Sequence, residues 1–283
     1  MERELIETGA NETCEVWFAR QGSRLAVWHH GTPNISPLSP AMLEVFAAHG
    51  DSVVCPVRRG YLGSTAVGPA PMADDARITT ALVKQLGWGS FVSLGLSGGG
   101  PRALADAAIS PFATAAIVFA GLAPADQDFD FFAGLPEEDI QGMKRLQTAG
   151  IAMLPMFEEW AKGMQNNPEV PVPDASDPWS VEWFNSPDGQ FRIGQPAGLP
   201  FETGASGWLF DEISFVSPWG FDPGNITKPV IIFHAEGDAN VPFSHGRWLQ
   251  SKIAGSVLHS LTGRAHGPTF NIHTVERGLA ALS

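Results

Sequence analysis

The chain has 283 residues, 44% of them hydrophobic, so it can bury the core of one large α/β domain or of two smaller ones. Its formal net charge of −13 disfavours binding to nucleic acid or to anionic membranes. No apolar run approaches the ~20 residues that span a bilayer, and the charged N-terminus lacks the apolar stretch of a secretory signal. Two cysteines, Cys14 and Cys55, are too few for a disulfide framework. We expect a soluble, cytoplasmic monomer or homodimer that acts on a small molecule and binds neither nucleic acid nor membrane.

Strand signals open the chain at 3–8, 13–19 and 24–29, separated by turn residues, and their spacing suggests antiparallel pairing. Helix and strand signals then alternate, at 41–49, 52–57, 73–86, 91–95, 98–109 and 115–120. Because strands that alternate with helices are joined by crossover connections, this pattern predicts a mostly parallel central sheet flanked by helices.

The alternation stops near Gly121 and resumes at 229–234, followed by a helix at 243–253, a strand at 256–261 and a helix at about 269–282. The intervening stretch is rich in aromatic, proline and acidic residues. Within it, 137–165 is predicted to be mostly helical with a break at Pro155, and 166–200 to be irregular. We therefore predict one α/β domain at 1–121 and 223–283, with a largely helical insertion at 122–222.

One short motif lies where a predicted strand ends and a helix begins: Gly95-Leu96-Ser97-Gly98-Gly99. So tight a turn requires small residues two positions before and two after the serine, and it projects the hydroxyl away from the corner. It also aims the first helical N–H groups, including that of Gly98, at the same point. Ser97 is thus a candidate nucleophile. A phosphate-binding loop is the alternative, but no Lys-Ser or Lys-Thr follows the glycines.

Around this motif the chain resembles the α/β-hydrolase family, and residues 1–121 and 225–283 carry the resemblance. The segment His30-Gly31-Thr32-Pro33 follows a strand, where the family has a loop that supplies one oxyanion-hole N–H. Carried over, the resemblance implies the backbone N–H groups of Thr32 and Gly98 as the two donors. The segment from Arg58 to Ser64 is similar to a family motif that shapes one wall of the site, although Leu62 replaces the usual glycine.

The resemblance also implies the partners of the serine. Asp238 stands three residues before Val241-Pro242, as the family acid does, and Glu236 is the competing acid. After the last strand, Arg264-Ala265-His266-Gly267 places His266 where the family has its general base. The chain order Ser, Asp, His fits this fold. His266 would remove the proton of Ser97 as it attacks, and Asp238 would fix the tautomer of the imidazole.

The insertion would form a cap over the serine, by the same resemblance. Its aromatic and methionine side chains could line an apolar pocket or form the core of the cap. The candidate substrate-binding residues are His30, Leu96, Phe132, Met156, Trp160 and Trp183. Cap acids bind the substrate amine in aminopeptidases of this fold, and the insertion carries five candidates, Glu137, Glu138, Asp139, Glu158 and Glu159. The first three also suit the start of a helix.

The predicted activity is hydrolysis of an ester, lactone or thioester of a small apolar substrate through an acyl-enzyme. A proline-iminopeptidase-like enzyme or a C–C bond hydrolase remains an alternative, and so does a small-molecule receptor or a non-hydrolytic biosynthetic enzyme on the same fold. The serine argues against the dehalogenases and epoxide hydrolases of the family, which carry an aspartate there. The histidines show no metal-ligand spacing, so neither a metal nor a cofactor is expected.

Overall fold

The computed structural model describes residues 1–166, 172–173, 175–262 and 266–282. An eight-stranded sheet in the order β1-β2-β4-β3-β5-β6-β7-β8 runs through it. The strands are β1 (Glu2–Gly9), β2 (Glu12–Ala19), β3 (Arg24–His29), β4 (Asp51–Pro56), β5 (Phe91–Leu96), β6 (Ala113–Phe119), β7 (Val230–Ala235) and β8 (Val257–Leu261). The predicted mostly parallel central sheet is therefore confirmed.

Strand pairing corrects one expectation. β1 and β2 are antiparallel, as predicted, but β3 does not continue that meander: it pairs in parallel with both β4 and β5. β4 lies between β2 and β3, because the connection after β3 crosses over before the chain re-enters the sheet. All six residues of β4 and of β7 are buried, as expected for strands covered on both faces.

Helices cover both faces of the sheet. They are α1 (Pro40–Ala48), α2 (Met72–Gln85), α3 (Gly100–Ile109), α9 (Phe243–Lys252) and α10 (Ile272–Ala280). Local sequence explains where α1 begins: the Ser39 hydroxyl accepts the N–H of Met42, and Pro40 occupies the first turn, where its missing N–H costs no hydrogen bond. The helix then buries Met42 and Phe46 against the sheet.

Five helices form the insertion between β6 and β7: α4 (Glu137–Ala149), α5 (Leu154–Asn166), α6 (Pro178–Asn185), α7 (Pro187–Ile193) and α8 (Ser206–Phe215). The predicted break at Pro155 is wrong. The chain breaks at Gly150, whose φ is +50°, and continues through a short 3-10 turn over Gly150–Met153. Pro155 lies in the first turn of α5, a position that proline tolerates.

The expectation that 166–200 is irregular is also wrong, because α6 and α7 lie within it. Each of these helices begins with a side-chain cap followed by proline, Asp177 before Pro178 and Ser186 before Pro187. Such residues are typical of loops, but they are equally typical of helix starts. Within the described ranges, no helix combines the length and apolarity needed to cross a bilayer.

Aromatic rings fill the core near the carboxyl ends of the strands. Trp28 of β3 stacks on Phe270 with ring centroids 4.0 Å apart, and Phe119 stacks on Phe233 at 5.5 Å. Both cysteines are buried and free. Burial raises the pKa of Cys14 to about 12, and burial also raises the pKa of Cys55 well above its ordinary value.

Candidate active site

Ser97 lies at the turn between β5 and α3. It opens a short 3-10 turn with a φ of +53°, a left-handed conformation that non-glycine residues rarely adopt. The flanking glycines make the turn possible. A Cβ on Gly95 would overlap the carbonyl oxygen of Gly99, and a Cβ on Gly99 would overlap that of His29. The requirement for small residues on both sides of Ser97 therefore has a direct steric cause.

The loop after β3 lies against this turn. A Cβ built on Gly31 would be 3.7 Å from the Cβ of Ser97, and one built on Gly98 would be 2.5 Å from the Thr32 hydroxyl oxygen. The ring of Phe215 in α8 occupies the same space and would lie 2.6 Å from that Cβ on Gly98. The segments that carry the two predicted oxyanion donors, Thr32 and Gly98, are thus neighbours at the end of the sheet.

An aspartate and a histidine are paired at the carboxyl ends of β7 and β8. His266 Nδ1 is 2.7 Å from Asp238 Oδ2, and Asp238 Oδ1 accepts the backbone N–H groups of Asn240 and Val241, both at 2.9 Å. Glu236, the competing acid, is exposed and accepts a hydrogen bond from Ser260. Arg264 and Ala265 lie outside the described residues.

The surroundings of Asp238 determine which ring nitrogen of His266 carries the proton. Burial alone would raise the pKa of Asp238. The hydrogen bond from His266, the charge of that imidazole and the Val241 N–H lower it by more, so the pKa lies below its ordinary value. An ionised carboxylate only accepts hydrogen bonds, so Nδ1 of His266 carries the proton. Nε2 is then the basic nitrogen. The imidazole side chain is 17% exposed, which leaves it open to a reactant.

Sequence reasoning missed a buried carboxylate in the insertion. Asp211 of α8 accepts five hydrogen bonds from four side chains. The donors are Arg58 Nε at 2.8 Å and Nη2 at 2.6 Å, Arg102 Nη2 at 3.1 Å, Tyr61 Oη at 2.9 Å and Thr32 Oγ1 at 2.7 Å. Burial raises the pKa of Asp211, but the two guanidinium groups hold it well below its ordinary value.

The two arginines also donate hydrogen bonds to backbone carbonyl oxygens beside Ser97. Arg58 donates from Nη1 to the carbonyl oxygen of His30 at 2.6 Å and from Nη2 to that of Gly31 at 3.1 Å. Arg102 donates from Nη1 to the carbonyl oxygen of Gly98 at 2.8 Å. Asp211 therefore braces both segments that flank the serine. Its only sequence signal was an acid inside the apolar segment Ser206–Phe215.

Two of the predicted substrate-binding aromatics line a large cavity. Trp160, which is 46% exposed, and Trp183 form part of the wall of a cavity of about 740 Å³, which is lined by the insertion and by residues 34–36. Its wall includes Ile35, Met164, Arg192 and Trp208. The wall is mainly apolar, which is typical of small-molecule sites. Arg192 is a second residue that sequence reasoning missed.

The other four predicted contacts divide into two groups. His30 and Leu96 are buried and line a small pocket next to the loop after β3. Burial and the charge of Arg58 lower the pKa of His30 well below its ordinary value, so this imidazole is neutral. Phe132 and Met156 are partly buried and pack against the main apolar core. The structure thus places Phe132 and Met156 in packing positions.

The five candidate amine-binding acids of the insertion have separate surroundings. Glu137, Glu138 and Asp139 occupy the first turn of α4, where a negative charge suits the helix dipole. Glu158 accepts the backbone N–H of Ala205, and Glu159 lines the large cavity. Among the residues that the structure describes, no three His, Cys, Asp or Glu side chains are grouped so that they could hold a metal ion.

The chain is similar over nearly its whole length to solved structures. An α/β-hydrolase-fold protein from Nakamurella multipartita matches with a TM-score of 0.70 at 18% identity, covering 99% of this chain and 98% of that one. A thermophilic esterase from Thermogutta terrifontis matches at 0.61 and 20%, covering 100% and 97%. The enol-lactonase from Burkholderia xenovorans LB400 matches at 0.65 and 16%, covering 95% of each chain.

No family model and no curated protein matches the sequence. At identities of 16–20%, the property shared with the solved structures is the fold. The strand order, the helical insertion after β6 and the turn at Ser97 agree with it. The chain has the α/β-hydrolase fold.

Proposed function

We propose that the chain is a serine hydrolase that cleaves an ester, lactone or thioester of a small substrate with an apolar part. The observation that carries this proposal is the hydrogen-bonded pair of Asp238 and His266 at 2.7 Å, at the same end of the sheet as the left-handed turn of Ser97. An esterase and an enol-lactonase of the same fold support this choice of reaction class.

In the proposed reaction, Ser97 Oγ attacks the carbonyl carbon while Nε2 of His266 takes its proton. The electron pair of the carbonyl moves to oxygen, and the N–H groups of Thr32 and Gly98 stabilise that oxyanion. The oxyanion collapses, expelling the alcohol or thiol, which takes the proton from His266, and an acyl-enzyme remains. Water, deprotonated by His266, then adds to the acyl carbon; the bond from that carbon to Ser97 Oγ breaks, Oγ takes the proton back from His266, and the acid is released. Asp238 keeps the imidazole in its reactive tautomer throughout.

The proposal is tested with Ser97→Ala. We expect turnover of 4-nitrophenyl acyl esters to fall by about 10⁴-fold or more and labelling by a fluorophosphonate probe to disappear, because the attacking oxygen is gone. Ser251→Ala is the matched control, since Ser251 is an exposed serine in α9, and it should leave both readouts unchanged.

Full labelling of the Ser97→Ala variant would overturn the assignment of the nucleophile. A wild-type protein that is labelled at Ser97 but hydrolyses no member of a broad ester panel would contradict the hydrolase. It would favour a receptor or a non-hydrolytic enzyme on the same fold.

A further inference from the structure

Arg192 is the basic residue in the wall of the large cavity. It lies in α7, and its side chain also lines the small pocket formed with Gly31, Leu96 and Phe270. Its Nη1 is buried and has no hydrogen-bond partner among the described residues. A guanidinium carries five N–H donors and stays protonated in proteins, so this charge is held with donor capacity unused.

The nearby acid does not take up that capacity. Asp188 lies one helical turn earlier in α7 and is buried, with Oδ1 accepting a 2.6 Å hydrogen bond from the Ser39 hydroxyl. Its Oδ2 has no partner among the described residues, and no ion pair joins it to Arg192. Burial lowers the pKa of Arg192, and Asp188 partly offsets this. The Asp188 carboxylate therefore stabilises the charge of Arg192 without a hydrogen bond to it, and the N–H groups of the guanidinium remain available to another acceptor.

Aromatic rings hold the guanidinium in place. Its central carbon lies 5.3 Å from the ring centroid of Trp183 and 5.5 Å from that of Phe270. Cation–π contacts with two rings favour one orientation of the planar group. In such an apolar setting a hydrogen bond to a negatively charged oxygen is stronger than it would be in water.

The position of Arg192 connects it to the reaction centre. The wall of the small pocket includes Leu96, which directly precedes the predicted nucleophile, and Gly31, on which a Cβ would lie 3.7 Å from the Cβ of Ser97. On its other side, the same residue faces the cavity of about 740 Å³. Arg192 therefore borders both the large cavity and the small pocket whose wall includes the residues next to Ser97.

We propose that Arg192 forms an anion subsite, and that the natural substrate carries a carboxylate or a similar anionic group a few atoms from the bond that is cleaved. The anion accepts hydrogen bonds from the guanidinium between Trp183 and Phe270, while the apolar part of the substrate lies in the large cavity. This inference rests on the proposed hydrolase. It also disfavours a substrate with a free amine, which the guanidinium would repel.

The test compares substrates that differ in one charge. We expect Arg192→Gln to lower kcat/KM for mono-4-nitrophenyl glutarate about 10- to 100-fold, mainly through KM, because a charge-assisted bond is lost. The neutral 4-nitrophenyl valerate should change less than about twofold. A second pair, 4-acetoxybenzoate and phenyl acetate, places the charge on the leaving group and shows which half of the substrate Arg192 binds. Arg247→Gln, an exposed arginine of α9, is the matched control.

Binding separates this inference from the proposed reaction. Calorimetry should detect glutarate binding to Ser97→Ala and much weaker binding to the double variant with Arg192→Gln. Equal losses on the neutral and charged esters, or equal glutarate affinity of the two variants, would overturn the subsite. If Arg192→Gln fails to fold, Arg192→Lys serves instead, and it should keep part of the preference for the anionic ester because it keeps the charge without the planar fork.

Discussion

The buried carboxylates Asp238 and Asp211 have more hydrogen-bond partners than the buried polar groups of helices α6 and α7. Asp238, which follows β7, accepts three hydrogen bonds, and Asp211, in α8 of the insertion, accepts five. In α6 and α7, the indole nitrogen of Trp183, one oxygen of Asp188 and one nitrogen of Arg192 are buried without a partner among the described residues. Groups with satisfied hydrogen bonds are preorganised, whereas unsatisfied ones gain most when a ligand binds.

The proposed reaction and the proposed recognition therefore rely on different parts of the chain. The proposed reaction depends on groups whose geometry is complete before any substrate arrives. The proposed recognition depends on polar groups that still lack a hydrogen-bond partner. The sharpest tests are substitutions that affect one region without affecting the other.

The largest expected effect is that of Asp238→Asn. The amide would offer an N–H to His266 and favour the wrong tautomer, so kcat should fall by about 10⁴-fold while the protein remains folded. Glu236→Gln is the matched control in the same loop and should retain wild-type activity, because Glu236 is exposed and contacts Ser260. Steady-state kinetics of both variants shows whether Asp238 or Glu236 is the acid that supports His266. A larger loss in the Glu236 variant would reverse the assignment of the acid.

Asp211→Asn should have an intermediate effect. Removing the buried charge leaves Arg58 and Arg102 without their shared partner and should lower the free energy of unfolding by about 3–5 kcal/mol. If this network also holds the oxyanion loops, kcat should fall about 10- to 100-fold with little change in KM. Urea denaturation and steady-state kinetics measure the two effects.

Glu212→Gln is the control for that variant, since it keeps an acceptor for the Trp208 indole N–H in the same helix. Its activity and stability should stay close to those of the wild type. A rise in KM without a fall in kcat for Asp211→Asn would mean that the network supports substrate binding rather than the reaction geometry.

The smallest effect concerns the pH dependence of stability. Buried His245 accepts the N–H of Ala123 through Nδ1, at 3.0 Å, and lies 3.1 Å from the Phe131 carbonyl oxygen through Nε2. Burial, followed by the charge of His234, lowers its pKa from 6.5 to about 4. The unfolded state therefore binds a proton first, and the stability that is present above pH 6.5 is lost as the pH falls towards 4.

His245→Gln should remove this contribution, which reaches about 3 kcal/mol between those two pH values. The midpoint of urea unfolding should depend less on pH in the variant than in the wild type, with the curves converging at low pH. Parallel curves would show that His245 is not a source of the acid sensitivity.

Local sequence patterns were sufficient for the parts of the site that depend on a few consecutive residues. The turn at Ser97 was predictable because its steric needs are met within Gly95 to Gly99. Asp238 and His266 were implied by the resemblance to the α/β-hydrolase family, and the loops after β7 and β8 bring them within 2.7 Å of each other.

Contacts between distant segments were not predictable in the same way. Asp211 meets Arg58 across 153 residues and Arg102 across 109, and no local pattern encodes that meeting. The starts of α6 and α7 were mistaken for loop because Asp177 with Pro178, and Ser186 with Pro187, are ambiguous by composition. The partners of β3 were missed because they depend on which strand enters the sheet next.

The two buried cysteines have a practical consequence for chemical labelling. A thiol reacts with electrophiles as its thiolate, and both Cys14 and Cys55 are inaccessible and protonated at neutral pH. Reagents that attack activated serines and thiolates alike, such as chloromethyl ketones or β-lactones, would find no competing cysteine in the folded protein. Labelling of the folded protein by such a reagent would therefore report on the proposed nucleophile Ser97 without interference from cysteine, and modification of either thiol would mark molecules that have unfolded.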